Sequence, residues 1–162
     1  MADLLRQTPI EYELIRVNRF ELIFPADLGF ESWMLHSCTR PKFKQNSVEI
    51  PFMNTIYYVA GQFSWETMDI ELIQTIGPST SQKVIEWVRL SAESLSGRQG
   101  YAKGYMKNLV LHSIDPTGAA VEEWVIQNAF ITAVDFGNND YSDDKVQTIK
   151  ITIQPQECIQ TY

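Results

Sequence analysis

Apolar and polar residues alternate with a period of two along most of this chain, and such a pattern buries an apolar face only as β-sheet laid over a core. The clearest case is residues 66–75, where Met68, Ile70 and Leu72 point one way and Thr67, Asp69 and Glu71 the other. Residues 147–154 repeat it, with Ile149, Ile151 and Ile153 opposing Thr148, Lys150, Thr152 and Gln154. Residues 18–24, 32–38 and 107–114 are further strands. Residues 47–52 and 55–60 flank Met53-Asn54, a turn in which asparagine tolerates positive φ. The turn signal Asp115-Pro116-Thr117-Gly118 follows residues 107–114. Residues 122–135 are long enough for one strand with a bend or bulge, or for two short strands. About eight strands result.

One segment breaks the rhythm. Over residues 79–94, Val84, Trp87 and Val88 recur at helical spacing, and Ile85, Leu90 and Leu95 widen the stripe. Ser79 and Gln82 can form a capping box behind Pro78, and Gly97 suits the stop. Trp87 reads as core packing. The layout is mainly β, two packed antiparallel sheets forming a sandwich or partial barrel, with one flanking α-helix.

Composition excludes several function classes. A length of 162 residues fits a single domain, here 1–162, with a core that needs no staple. Against 20 Asp and Glu stand only 13 Lys and Arg, for a net charge of −7, which argues against a protein that grips nucleic-acid phosphates. No apolar run approaches the ~18 residues of a membrane helix. The first residues lack the apolar core and cleavage site of a signal peptide. Cys38 and Cys158 read as two reduced thiols.

Sites for chemistry are few. His36 and His112 sit in apolar strand surroundings, and no spacing suits zinc. His36 and Cys38 share a strand face without a third group to orient them. The glycines from Gly97 to Gly104 lack a phosphate-loop ending, and the acidic loop 138–144 lacks calcium-loop spacing. Asp69 and Glu71 read as the wet face of a sheet. No enzyme, metal or cofactor is expected.

The order of the features carries more. Arg16-Val17-Asn18-Arg19-Phe20 opens the first strand, Ile50-Pro51-Phe52-Met53-Asn54 leads to Val59-Ala60-Gly61, and Phe63-Ser64-Trp65 precedes the strand at Met68. A single helix with Trp87 follows, then Trp124-Val125-Ile126-Gln127-Asn128-Ala129-Phe130 and the last alternating strand. From about Arg16 to Gln154 this resembles the tail tube proteins of contractile-tailed bacteriophages, relatives of type VI secretion tube proteins. The family often has Gly-Ala followed by an aromatic and Pro where this chain has Asn128-Ala129-Phe130-Ile131, a departure that alters the local bend. A leader, residues 1–15, precedes the resemblance.

The resemblance implies a structural virion protein. Six copies close into a homohexameric β-barrel ring, and stacked rings form the inner tube of a contractile phage tail, the conduit for genome ejection. The implied partners are further copies, the tail sheath protein, a baseplate tube initiator, and the tape-measure protein and transiting double-stranded DNA in the lumen without specific binding. Membrane insertion is not implied. The location is the virion tail, built in the host cytoplasm. A long hairpin reaches the neighbouring ring, and the matching tip places Phe52, Met53 and Asn54 as inter-ring contacts. The lumen face is either that of Thr67, Asp69 and Glu71 or that of Thr148, Lys150, Thr152 and Gln154. An acidic subunit suits a channel that must not hold phosphate. A baseplate tube initiator or tail-end paralogue shares the fold. Two other classes compete: a monomeric β-sandwich binding ligand on Tyr57, Tyr58, Tyr101 and Tyr105, and a small hydrolase using Asp69, Glu71 or His36.

Overall fold

Strands that present apolar side chains at every second position need a shared interior, and here two layers supply it. A computed structural model describes residues 13–162, so most of the 1–15 leader lies outside the described residues. The strands are β1 (Phe20–Ile23), β2 (Leu35–Cys38), β3 (Phe43–Phe52), β4 (Thr55–Trp65), β5 (Met68–Ile73), β6 (Lys107–Ile114), β7 (Ala120–Asp135), β8 (Thr148–Gln154) and β9 (Glu157–Gln160). Helices α1 (Thr80–Ser91) and α2 (Ala102–Tyr105) lie between β5 and β6. All strand pairs are antiparallel. The main sheet runs β1-β6-β7-β8-β5-β2, with β9 also on β7.

The long strand β7 makes two layers out of this sheet. Its first half pairs β6 and β9, and its second half pairs β8. One layer is therefore β1-β6-β7-β9 and the other β7-β8-β5-β2. The bend falls at Asn128, whose φ is 52°, in the left-handed region that asparagine enters more readily than most residues. The neighbouring strand bends with it: the Gln156 N–H donates to the Gln127 carbonyl at 3.1 Å, and Asn128 Nδ2 donates to Gln156 Oε1 at 3.0 Å. Of the two sequence alternatives for this stretch, one bent strand is found.

Both layers bury their apolar faces in one cluster. Leu22, Met68, Ile70, Leu72, Leu109, Ile126, Ile149, Ile151 and Ile153 meet Val84 and Trp87 of α1 there. Trp87 is 2% exposed, and its Nε1 donates to the Tyr105 carbonyl at 2.9 Å, so the indole packs with its polar handle satisfied. The outer margins, β1 and β2, are joined by no ladder, so a single copy is an open barrel.

The helix start differs from expectation. Ser79 is the N-cap residue but makes no side-chain cap. Its hydroxyl instead accepts from Gln74 Nε2, while Gln74 Oε1 accepts the Ser81 N–H at 3.1 Å. A glutamine leaving β5 thus supplies the acceptor that the capping box assigned to Ser79. The helix also stops at Ser91, ahead of Gly97, because Ala92 pairs with Gln99 in a short bridge.

The hairpin β3–β4 stands apart as its own two-stranded sheet. It is longer than the alternation indicated, because a bulge carries the pairing from Ser47↔Ala60 down to Phe43↔Trp65. Gly61 permits the bulge: a Cβ there would lie 2.8 Å from the Asn46 carbonyl oxygen. At its root, Trp65 packs edge-on to Trp124, with ring centroids 6.5 Å apart.

Candidate functional site

The two lumen-face candidates of the sequence are a single face. Register sets Asp69 opposite Thr152 and Glu71 opposite Lys150, so all four side chains leave the same side of the β5–β8 pair. Thr148 Oγ1 donates to Glu71 Oε1 at 2.6 Å, and Thr152 Oγ1 donates to Asp69 Oδ1 at 2.8 Å. Lys150 Nζ lies 3.6 Å from Asp69 Oδ2. The Thr148 hydroxyl is the main cause of a Glu71 carboxyl held below the usual glutamate range, with Ser37 Oγ assisting at 3.1 Å. Hydrogen bonds thus tie Asp69, Glu71, Thr148 and Thr152 into a fixed polar surface.

Two members of this face are hidden from the sequence pattern. Ser37 on β2 pairs with Glu71, and Asp135 on β7 lies opposite Lys150. Irregularities hide them: the pairing shifts between Leu35 and Ser37 and again between Ile131 and Ala133, so simple alternation assigns the wrong side. With both included, Asp69, Glu71 and Asp135 face one ammonium, Lys150, and the surface is acidic.

The second candidate region is the hairpin tip. Phe52 and Thr55 close the ladder around Met53-Asn54. The positive φ falls on Met53, at 50°, and not on Asn54 as expected. A methionine in this conformation is strained, and the strain sits at an apex where Met53 is 89% exposed. All ten residues of β3 are exposed. Val48, Ile50 and Phe52 share one face with Val59 and Tyr57, an apolar stripe that nothing among the described residues covers.

The competing chemistries find little support in the geometry. His36 is the extra residue where β2 slips against β5, so it does not share the regular face with Cys38. Burial pushes the Cys38 thiol up to about 12 and the Cys158 thiol up to about 11, which makes both poor nucleophiles. His112 Nε2 lies 2.9 Å from Glu123 Oε2, and this contact is the main cause of a lowered Glu123 carboxyl. Tyr57 and Tyr58 are consecutive on β4 and leave opposite faces, while Tyr105 packs on Phe130 at 5.9 Å. In the acidic loop, Asp140 Oδ1 accepts the Ser142 N–H at 2.9 Å and Asp143 Oδ1 that of Lys145 at 3.2 Å, so both carboxylates bind their own turns. Among the described residues no His, Cys, Asp and Glu group is placed to hold a metal ion, and no helix is long and apolar enough to cross a membrane.

The sequence matches no protein-family model and no curated protein. Solved structures are similar to it. The anti-feeding prophage cap, described as a tube terminating cap, superposes with a TM-score of 0.73 at 17% identity, over 99% of this chain and 99% of that one. The sheath-tube complex of the PVC extracellular contractile injection system, in the extended state, gives 0.72 at 17% identity, over 94% of this chain and 93% of that one. An Hcp protein of Flavobacterium johnsoniae gives 0.54 at 14% identity, over 88% of this chain and 94% of that one. The chain therefore has the fold seen in components of contractile injection systems. The tail-tube resemblance read from its sequence is matched at the level of fold by tube assemblies of that kind and by Hcp.

Proposed function

We propose that this chain is a non-enzymatic structural protomer of the inner tube of a contractile, phage-tail-like particle, acting as a single tube domain. The observation that carries the reading is the acidic, hydrogen-bonded face of Asp69, Glu71, Thr148, Lys150 and Thr152 on an open barrel of this fold. Six copies close into a ring by joining the unpaired edges of the β7-β8-β5-β2 layer, β2 of one copy against the second half of β7 in the next. That face then lines the lumen. Edge pairing between copies also removes a hazard, since free strand edges invite aggregation. The hairpin tip, Phe52, Met53 and Asn54, contacts the neighbouring ring. A sheath protein surrounds the tube, and a baseplate initiator nucleates it. In a phage tail, the tape-measure protein and then double-stranded DNA pass through the lumen without specific binding, and assembly takes place in the host cytoplasm.

A second reading, a tail-end paralogue, is favoured by the likeness to a tube terminating cap. Negative-stain electron microscopy of the concentrated chain and of the source particle tests the first. Hollow rings or stacked tubes are the expected result, and dispersed monomers in both preparations would exclude it. Copy number per particle then separates the two: many copies mark the tube, a single ring's worth marks the end.

A further inference from the structure

A basic cleft lies where β1 and β2 diverge without pairing, and neither the acidic sheet face nor the hairpin tip accounts for it. Arg16, Arg19, His36 and Arg40 line it, with Phe20 and Leu111 among its apolar walls, around a volume of about 420 Å³. Arg40 is held by Glu122, a buried carboxylate on β7 that also accepts from Trp124 Nε1 at 2.7 Å. Arg16 and Arg19 have no ion-pair partner among the described residues. Arg19 Nη1 is the one buried side-chain polar atom among the described residues without a hydrogen-bond partner. A buried cationic donor in that condition is costly, so it marks a place built for an acceptor.

Register shows at which end of the molecule this cleft sits. β5 starts there, at Met68, and β2 finishes there, with Cys38 opposite Ile70. The hairpin leaves from the same end, and Lys42 and Lys44 at its root add positive charge. The opposite end is acidic. There β7 stops at Asp135, β8 begins at Thr148, and the loop between them carries Asp140, Asp143 and Asp144 beside a fully exposed Tyr141.

We propose that the cleft receives the β7–β8 loop of a second copy in the next ring, with Asp143 and Asp144 facing Arg16 and Arg19. This rests on the tube reading. Charge complementarity selects the occupant: the cleft is a cationic island in a chain of net charge −7, and the acidic loop sits at the other end. Only head-to-tail stacking brings the two together. The contact is salt-screened, and its repetition around the ring multiplies a modest pair into a large effect.

The test uses the full-length chain and three variants: Arg16→Glu, Asp143→Lys with Asp144→Lys, and all three changes combined. These positions are exposed, and circular dichroism checks that each variant folds. Sedimentation velocity from low to high salt separates rings from stacks. Each charge reversal should raise the concentration needed for stacking by about tenfold while leaving ring formation unchanged. The combined variant should recover most of the loss, and wild-type stacking should weaken as salt rises. Stacking that ignores the single reversals, or a combined variant no better than either, overturns the cleft assignment and leaves the tube reading standing. A wild-type chain that forms no rings at any salt, from a source particle that contains no tube, overturns both.

Discussion

At the scale of single residues, the polar sheet face is a pH-sensitive surface. The Thr148 and Ser37 hydroxyls bond the ionised Glu71 carboxylate, so its folded pKa lies below that of the unfolded chain. The stability this contributes is fully present above the ordinary glutamate pKa of about 4.3 and is lost as pH falls through the folded value. In Thr148→Val the carboxyl should titrate closer to the ordinary value and the acid limb of the stability curve should shallow. Carboxyl-carbon NMR titration of Glu71 in both proteins checks this, and an unchanged midpoint would assign the depression to another cause. That Asp69 and Glu71 are wet-face carboxylates was legible from alternation alone. Their partners were not, because Thr152 lies 83 residues from Asp69 and pairing at that distance is set by register.

At the scale of elements, agreement between sequence and structure follows burial. β5 and β8 match their predicted spans closely because one face of each is buried and the other is not, which is what a period of two records. Alternation makes the hairpin too short, since it has no interior and its apolar residues occupy both faces. β9 is not legible in the sequence because four residues after Pro155 carry too little pattern to register. The length of residues 122–135 allows one bent strand or two short ones, and Asn128 supplies the physical cause of the bend in β7. Asn128→Gly should keep or slightly raise stability, whereas Asn128→Val should cost about 1–2 kcal/mol, since a branched side chain resists a left-handed backbone. Urea unfolding of the two variants distinguishes them. Equal midpoints would mean that the bend does not depend on this residue's conformation.

At the scale of the whole molecule, the two layers and α1 share one buried core, and every residue of the hairpin strand β3 stands outside it. Phe52, 58% exposed, is the apolar residue beside the strained apex. Phe52→Asp should leave the melting temperature of the monomer within a few degrees, because the side chain contributes nothing to the core. It should also abolish stacking of rings in sedimentation and microscopy. Normal tubes from this variant would remove the tip from the contact. The hairpin and the basic cleft leave one end of the β7-β8-β5-β2 layer and the acidic loop leaves the other, so the protomer has no symmetry that exchanges its ends. A polymer of such units is directional, like an arrow. It offers incoming subunits two chemically different docks, growth can be confined to one of them, and a stopper made for one end does not fit the other.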